Sequence, residues 1–405
     1  MRRELKMKMT YKKSIFVTMF STVIFISGCG SDNNNDEYSS LSPKKVFNVD
    51  ADVSSVVNVH DVFSYQMPSV LNKAIEATTL VFIPKGNAPI GGWPVVVWAH
   101  GTTGAADQCA PSRNALVGVE KNLILELVKK GYAVVAPDYE GLGNDNVAHP
   151  YLHLKSAAQS ILFALTEVNK NYFNLSKDWS VIGWSQGGHA ALAAAEFNQA
   201  LSGFNYKGAV AIAPASYLKE TLDFGMGAAN QLATKPETLG TAVQVAATLY
   251  TYAAITSSGI KAEKPNFNYN QTFITSKIDL AKQAETLCSP ELGQKFGADI
   301  QKTLAENAGQ FSAYQALQAD YQTDPDVQAY LVNNNPAQRK LDKKVYIFQG
   351  EADTTVPFAI TQNLVAKMSS VGSNVELISK PGETHSTIVS KNINELVGKI
   401  DLLMK

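Results

Sequence analysis

Cysteine is scarce in this chain, with three in 405 residues. That excludes a disulfide scaffold, and without a Cys-x-x-Cys pair or a His-Glu-x-x-His run no catalytic metal is expected. Charge of one sign is lacking too. Lys plus Arg number 35 against 36 Asp plus Glu, for a net charge of −1, so no basic surface points to nucleic acid. There is no repeat of fixed period, which sets aside solenoids and propellers. The apolar run from Ser14 to Gly28 falls short of the roughly 20 residues that a membrane-spanning helix needs. What is present is globular composition, 45% hydrophobic and 18% charged, in a chain long enough for one large α/β domain with an insertion, or for two or three domains.

The N-terminus reads as an export signal. Arg2, Arg3, Lys6, Lys8, Lys12 and Lys13 precede the uncharged run, which ends in Ile26-Ser27-Gly28-Cys29. Small residues before a cysteine resemble a bacterial lipobox, in which that cysteine is acylated and becomes the mature N-terminus. The alternative is an ordinary secretory signal with an incidental cysteine. Residues 1–28 are thus expected to be a lipoprotein signal peptide and Cys29 the lipidation site. Residues 29–45 begin CGSDNNNDEYSSLSP, polar and of low complexity, as in a flexible tether. The expected location is the bacterial cell envelope, outer membrane or cell surface. Acylation consumes Cys29 and leaves Cys109 and Cys288 either as a disulfide, which an oxidising compartment would preserve and which the even count favours, or as two separate buried thiols.

From about Val46 the chain alternates two periodicities. Val53–Met67 and Thr78–Pro84 predict an early antiparallel pair. The continuous apolar run at Pro94–Ala99 suits a strand buried on both faces, Tyr132–Ala136 reads as the next buried strand, and Trp179–Ile182, Gly208–Ala213, Lys344–Phe348 and Asn374–Ile378 read as further strands. Helical spacing falls between them, over Asn114–Lys130, Leu154–Asn169 and His189–Ala200. This is the pattern of a mostly parallel sheet flanked by helices, an α/β fold. Residues 46–216 and 341–405 would form the core. Residues 217–340 break the rhythm with alanine-rich helical sequence lying between two core strands. An insertion there sits beside the carboxyl ends of the strands, where ligands bind open α/β sheets, and is therefore expected to be a helical cap.

Gly183-Trp184-Ser185-Gln186-Gly187-Gly188 fits G-x-S-x-G and lies between a predicted strand and a predicted helix. That context predicts a nucleophile elbow, a sharp turn that lifts the serine hydroxyl above the sheet. A serine hydroxyl needs a base, and the base an orienting acid. Of the six histidines, His60 lies in the early β region and His100 opens a glycine loop. His149 and His153 flank a helix start, and His189 is on the helix that Ser185 opens, where it packs beneath the elbow. His385 follows the last predicted strand and is the expected base. Asp353 follows the penultimate strand and is the expected acid, with Glu351 as competitor. The order Ser185, Asp353, His385 is that of the α/β hydrolases. His100-Gly101-Thr102-Thr103-Gly104 is placed to complete an oxyanion hole, with the N–H groups of Thr102 and Gln186 as donors and Thr103 in reserve. No Gly-Lys-Ser/Thr follows this loop, so it is not a phosphate loop.

These residues carry a family resemblance. His100-Gly101-Thr102-Thr103-Gly104, Cys109-Ala110-Pro111-Ser112, Asp138-Tyr139-Glu140-Gly141 and Gly183–Gly188 together resemble the secretory lipase, lipase A-like, branch of the α/β hydrolases, from about Val53 onward. The resemblance implies a helical cap before the acid-bearing strand and a disulfide from Cys109 into that cap at Cys288. It also implies hydrolysis of acylglycerols or other carboxylic esters, and no cofactor is expected. Two other readings stand beside it. One is an aminopeptidase-like enzyme on the same fold, holding a substrate ammonium with Asp138 and Glu140. The other is a non-catalytic surface lipoprotein that binds a ligand.

Overall fold

The computed structural model describes residues 44–144 and 146–405. The expected signal peptide, Cys29 and nearly all of the tether lie outside the described residues. The tether's last two residues, Lys44 and Lys45, instead belong to a strand, β1 (Lys44–Val46), paired with the core. A short helix α1 (Ala51–Val56) follows, where a strand start was expected, and then β2 (Val57–Pro68) and β3 (Ala74–Pro84) form the early antiparallel pair.

The remaining elements alternate. They run β4 (Trp93–Ala99), α2 (Gly118–Lys129), β5 (Ala133–Pro137), α3 (Leu154–Asn171), β6 (Leu175–Trp184), α4 (Gln186–Phe197) and β7 (Asn205–Ile212). Helices α5 (Leu218–Leu232), α6 (Leu239–Glu263), α7 (Ile278–Ala281), α8 (Ser289–Glu306) and α9 (Pro325–Asn333) intervene. Then come β8 (Val345–Gly350), α10 (Phe358–Ser370), β9 (Val375–Lys380), α11 (Thr387–Ser390) and α12 (Ile393–Met404). One nine-stranded sheet has the order β1-β2-β3-β5-β4-β6-β7-β8-β9, antiparallel as far as β5 and parallel from there on.

Strand β4 shows why these runs form a central sheet. Successive side chains point to opposite faces, and both faces are covered. Val95, Val97 and Ala99 join the apolar layer under α3 and α4, whereas Val96 and Trp98 join the layer under α2 and α12. A run with no polar alternation is what two buried faces demand. Each valine contributes about 1.5–3 kcal/mol of burial, and all five residues are 0–1% exposed. Helix α2 stops where Gly131 takes φ +88°, a left-handed C′ position that glycine adopts without strain.

Residues between β7 and β8 form helices α5–α9, with their own apolar core. Helix α6 lies at its centre and is buried over most of its circumference, with Ala246, Ala254 and Ile255 fully enclosed. The only pairing of strand type inside this helical region, among the described residues, is an isolated bridge between Phe273 and Leu317.

Candidate active site

Ser185 sits between β6 and α4 with φ +58° and ψ −114°. A non-glycine residue held there is strained, and two close approaches explain how it is held. A Cβ on Gly183 would lie 2.0 Å from the Gly187 carbonyl oxygen, and one on Gly187 would lie 1.8 Å from the Ala99 carbonyl oxygen. Only glycine lets strand, turn and helix close this tightly. The turn is fixed further by Ser185 N–H donating to Ile212 O (2.8 Å) and by Ser185 O accepting from His189 N–H (3.0 Å) and Ala215 N–H (3.2 Å).

Asp353 and His385 meet. His385 Nδ1 donates to Asp353 Oδ2 at 2.7 Å, with the aspartate side chain fully buried and the histidine 15% exposed. The other aspartate oxygen, Oδ1, accepts the backbone N–H groups of Thr355 (2.8 Å) and Val356 (2.9 Å), and the Gln349 amide reaches Oδ2 at 3.0 Å. The carboxylate is thus saturated with donors, which keeps it an acceptor for the imidazole N–H. Glu351, the competing acid, is exposed and makes no such contact. A neutral imidazole that donates at Nδ1 carries a lone pair at Nε2. That Nε2 is buried without a hydrogen-bond partner among the described residues. No hydrogen bond joins it to Ser185 Oγ here, and such bonds often tighten only when substrate is present. The two residues are linked through Trp184, whose indole N–H donates to the His385 carbonyl at 3.0 Å with the two rings 5.2 Å apart. Thr355 and Val356, from the aspartate loop, line the same cavity as Ser185.

The glycine loop after β4 lies against this turn. A Cβ on Gly101 would lie 3.1 Å from the Trp184 ring. The N–H groups of Thr102 and Gln186 have no acceptor among the described residues, as open oxyanion donors would. Three contacts that sequence reasoning missed hold them. Tyr151 Oη and Thr102 Oγ1 are 2.8 Å apart. Ser289, at the start of α8, donates its N–H to Thr103 O (2.8 Å) and its hydroxyl to Thr102 O (3.3 Å). Beside it a disulfide joins Cys109 to Cys288, their Cα atoms 5.4 Å apart, and Gly104 bridges to Cys288. The helical insertion therefore grips the loop directly. On the other side the Gln186 amide donates to His149 Nε2 (3.0 Å), whose Nδ1 donates to Glu140 O (2.7 Å). Burial holds both His100 and His149 down at about 4, so they are neutral structural rings at neutral pH.

The remaining histidines fall into structural places. His189 is buried under the turn and bonds Asn334 O at 2.9 Å, as expected of a residue beneath the elbow. His153 caps α3 by accepting Ser156 N–H, and His60 bonds Phe47 O. Asp138 and Glu140 are 0% and 1% exposed. Asp138 accepts from Thr78 and Ser112, and Glu140 from Val70 and Ser156. Burial raises both, Asp138 to about 6, and neither lines the Ser185 cavity. Neither is free to hold a substrate ammonium.

Residues 108–216, which contain the elbow, match the family model for secretory lipases. Residues 289–401, which contain Asp353 and His385, match that of the prolyl oligopeptidase family. A comparison with curated protein sequences gives no match. Among solved structures, the rice cell wall degrading esterase LipA from Xanthomonas oryzae superposes with a TM-score of 0.65 at 20% identity, covering 90% of this chain and 97% of that one. Candida antarctica lipase A in its closed state does so with a TM-score of 0.65 at 18% identity, covering 90% and 81%. The fold is that of the α/β hydrolases, and the stretch that carries Ser185 is similar to the secretory lipase family.

Proposed function

We propose that this chain is a serine-dependent carboxylic ester hydrolase working through an acyl-enzyme. Ser185 Oγ attacks the ester carbonyl while His385 Nε2 takes its proton. Asp353 holds the imidazole in the tautomer that can accept it. The N–H groups of Thr102 and Gln186 stabilise the tetrahedral oxyanion, at the positive end of α4. His385 returns the proton to the departing alcohol, and water then releases the acid by the same steps in reverse. The observation that carries this reading is the buried Asp353–His385 pair, its Nε2 without a partner among the described residues, joined through Trp184 to the strained Ser185 turn.

Export with a lipid anchor at Cys29, and a disulfide that an oxidising compartment preserves, belong to the same proposal. Mass spectrometry of the mature N-terminus, with Cys29→Ser as control, tests the anchor. The activity is tested by hydrolysis of p-nitrophenyl esters from acetate to palmitate with protein lacking residues 1–29. Hydrolysis that Ser185→Ala abolishes is expected. Cleavage of aminoacyl amides but of no ester would replace this reading with a peptidase.

A further inference from the structure

Ser185 opens into a cavity of about 40 Å³, walled by Leu218 and Leu222 of α5, Leu249 and Tyr252 of α6, and Val356. That is far below the roughly 300–1,000 Å³ of ordinary ligand sites, which suits a short acyl group. On the outer side of α6, a groove of about 690 Å³ runs between α6 and α8. Ligand sites typically span about 300–1,000 Å³, so this groove has the volume of an acyl chain of any common length, but it does not contain Ser185. Tyr252 lines both spaces and, among the described residues, is the only one that does so. Small residues stand in the groove lining among larger ones such as Gln244 and Gln294. Ala247 lies on α6, and Gly293 and Gly297 lie on α8, where an added Cβ would come no closer than 3.6 Å and 3.9 Å to a neighbour.

From this we infer that Tyr252 is the specificity-determining residue for acyl length. Its ring is the partition that restricts this site to short acyl groups, acetyl to butyryl, and that keeps the α6–α8 groove from serving as an acyl tunnel. The inference rests on the ester-hydrolase reading. The determinant is the volume of the ring and not its hydroxyl.

The test is kcat/KM for p-nitrophenyl acetate, butyrate, octanoate and laurate, below their aggregation limits. Wild type should favour acetate or butyrate over octanoate by about tenfold or more, the scale at which a pocket discriminates methylene groups. Tyr252→Phe should keep that profile. Tyr252→Ala, and Tyr252→Leu if the alanine variant does not fold, should raise the octanoate-to-acetate ratio by about tenfold. Adding Gly297→Leu to the alanine variant refills the groove and should cancel the gain. A wild type that prefers octanoate or laurate overturns the inference. So does a folded Tyr252→Ala or Tyr252→Leu variant with an unchanged chain-length profile. In both cases Ser185-dependent ester hydrolysis would still stand, whereas loss of all ester hydrolysis in wild type would remove the parent reading as well.

Discussion

Replacing Asp353 by Asn probes the proton logic of the site most sharply. Four donors converge on this carboxylate: Thr355 N–H, Val356 N–H, the Gln349 amide and His385 Nδ1–H. Asparagine keeps one acceptor oxygen and gains an NH₂. The two main-chain donors cannot move without unmaking the turn after β8, so the oxygen stays with them. The NH₂ then faces Gln349 and His385. His385 must offer a lone pair at Nδ1, which places its proton on Nε2 and removes the base that Ser185 needs. In the serine-protease template the same replacement, through the same tautomer error, costs about 10⁴ in kcat, or about 5.4 kcal/mol at about 1.36 kcal/mol per decade. We expect kcat for p-nitrophenyl acetate to fall by about 10³–10⁴, with KM within about threefold because Asp353 is not part of the cavity wall. Stopped-flow and steady-state assays at neutral pH measure both, and thermal melting confirms the fold. A loss of less than about tenfold in kcat, in a variant with native-like melting, would refute the assignment of Asp353 as the residue that sets the His385 tautomer.

Three further outcomes follow from named contacts. Trp184→Phe keeps a ring against Gly101 and His385 but removes the 3.0 Å bond to the His385 carbonyl. One hydrogen bond of about 0.5–1.5 kcal/mol should cost two- to tenfold in kcat, and a change confined to KM would contradict the positioning role. Cys109→Ala with Cys288→Ala should lower unfolding stability by about 2–5 kcal/mol, read by urea titration, and should lower kcat as well because Gly104 packs on the bridge. His189 is held near 4 by burial, below the unfolded value of about 6.5. Its folded-state pKa is depressed, so its contribution is fully present above about pH 6.5 and is lost as pH falls towards 4. The stability gap between wild type and His189→Gln should therefore narrow by about 3 kcal/mol between pH 7 and pH 4, and a gap that stays constant across that range would contradict it.

Much of the framework was legible because it depends on local rules. The apolar run from Pro94 to Ala99 had to be a doubly buried strand, since no polar alternation offered a wet face, and Gly208 to Ala213 read as a further strand; they are β4 and β7. Gly183 and Gly187 announced the elbow because a side chain at either would overlap backbone. The early region was less readable. Val53 to Val56 has β-branched residues yet forms the last turns of α1, where packing of Val53 into the core outweighs propensity. Lys44 and Lys45 read as tether because nothing local marks an edge strand of charged residues. Their pairing with Val62 and Phe63 is set by the next strand, beyond the reach of a local reading.

The proposed Ser185, Asp353 and His385 follow from position after a strand, and the structure brings the last two together. Their supports do not follow from position, since each depends on a long-range contact. Gln349 is an interior residue of β8 whose amide happens to meet the aspartate. Tyr151 and Ser289 touch the Thr102 loop from separate segments. Asp138 and Glu140 looked available for binding because their exposure cannot be read from sequence; the fold spends them on backbone donors and hydroxyls instead.

The central claim is that Ser185 is the nucleophile of an ester hydrolase. The most direct measurement is intact-protein and peptide mass spectrometry after treatment with diethyl p-nitrophenyl phosphate, which transfers one phosphoryl group to an activated serine. The account predicts a single diethylphosphoryl adduct on the peptide containing Ser185, formed in step with loss of p-nitrophenyl acetate hydrolysis and absent from Ser185→Ala and His385→Ala. An adduct on another residue, or full inhibition with Ser185 unmodified, would contradict it.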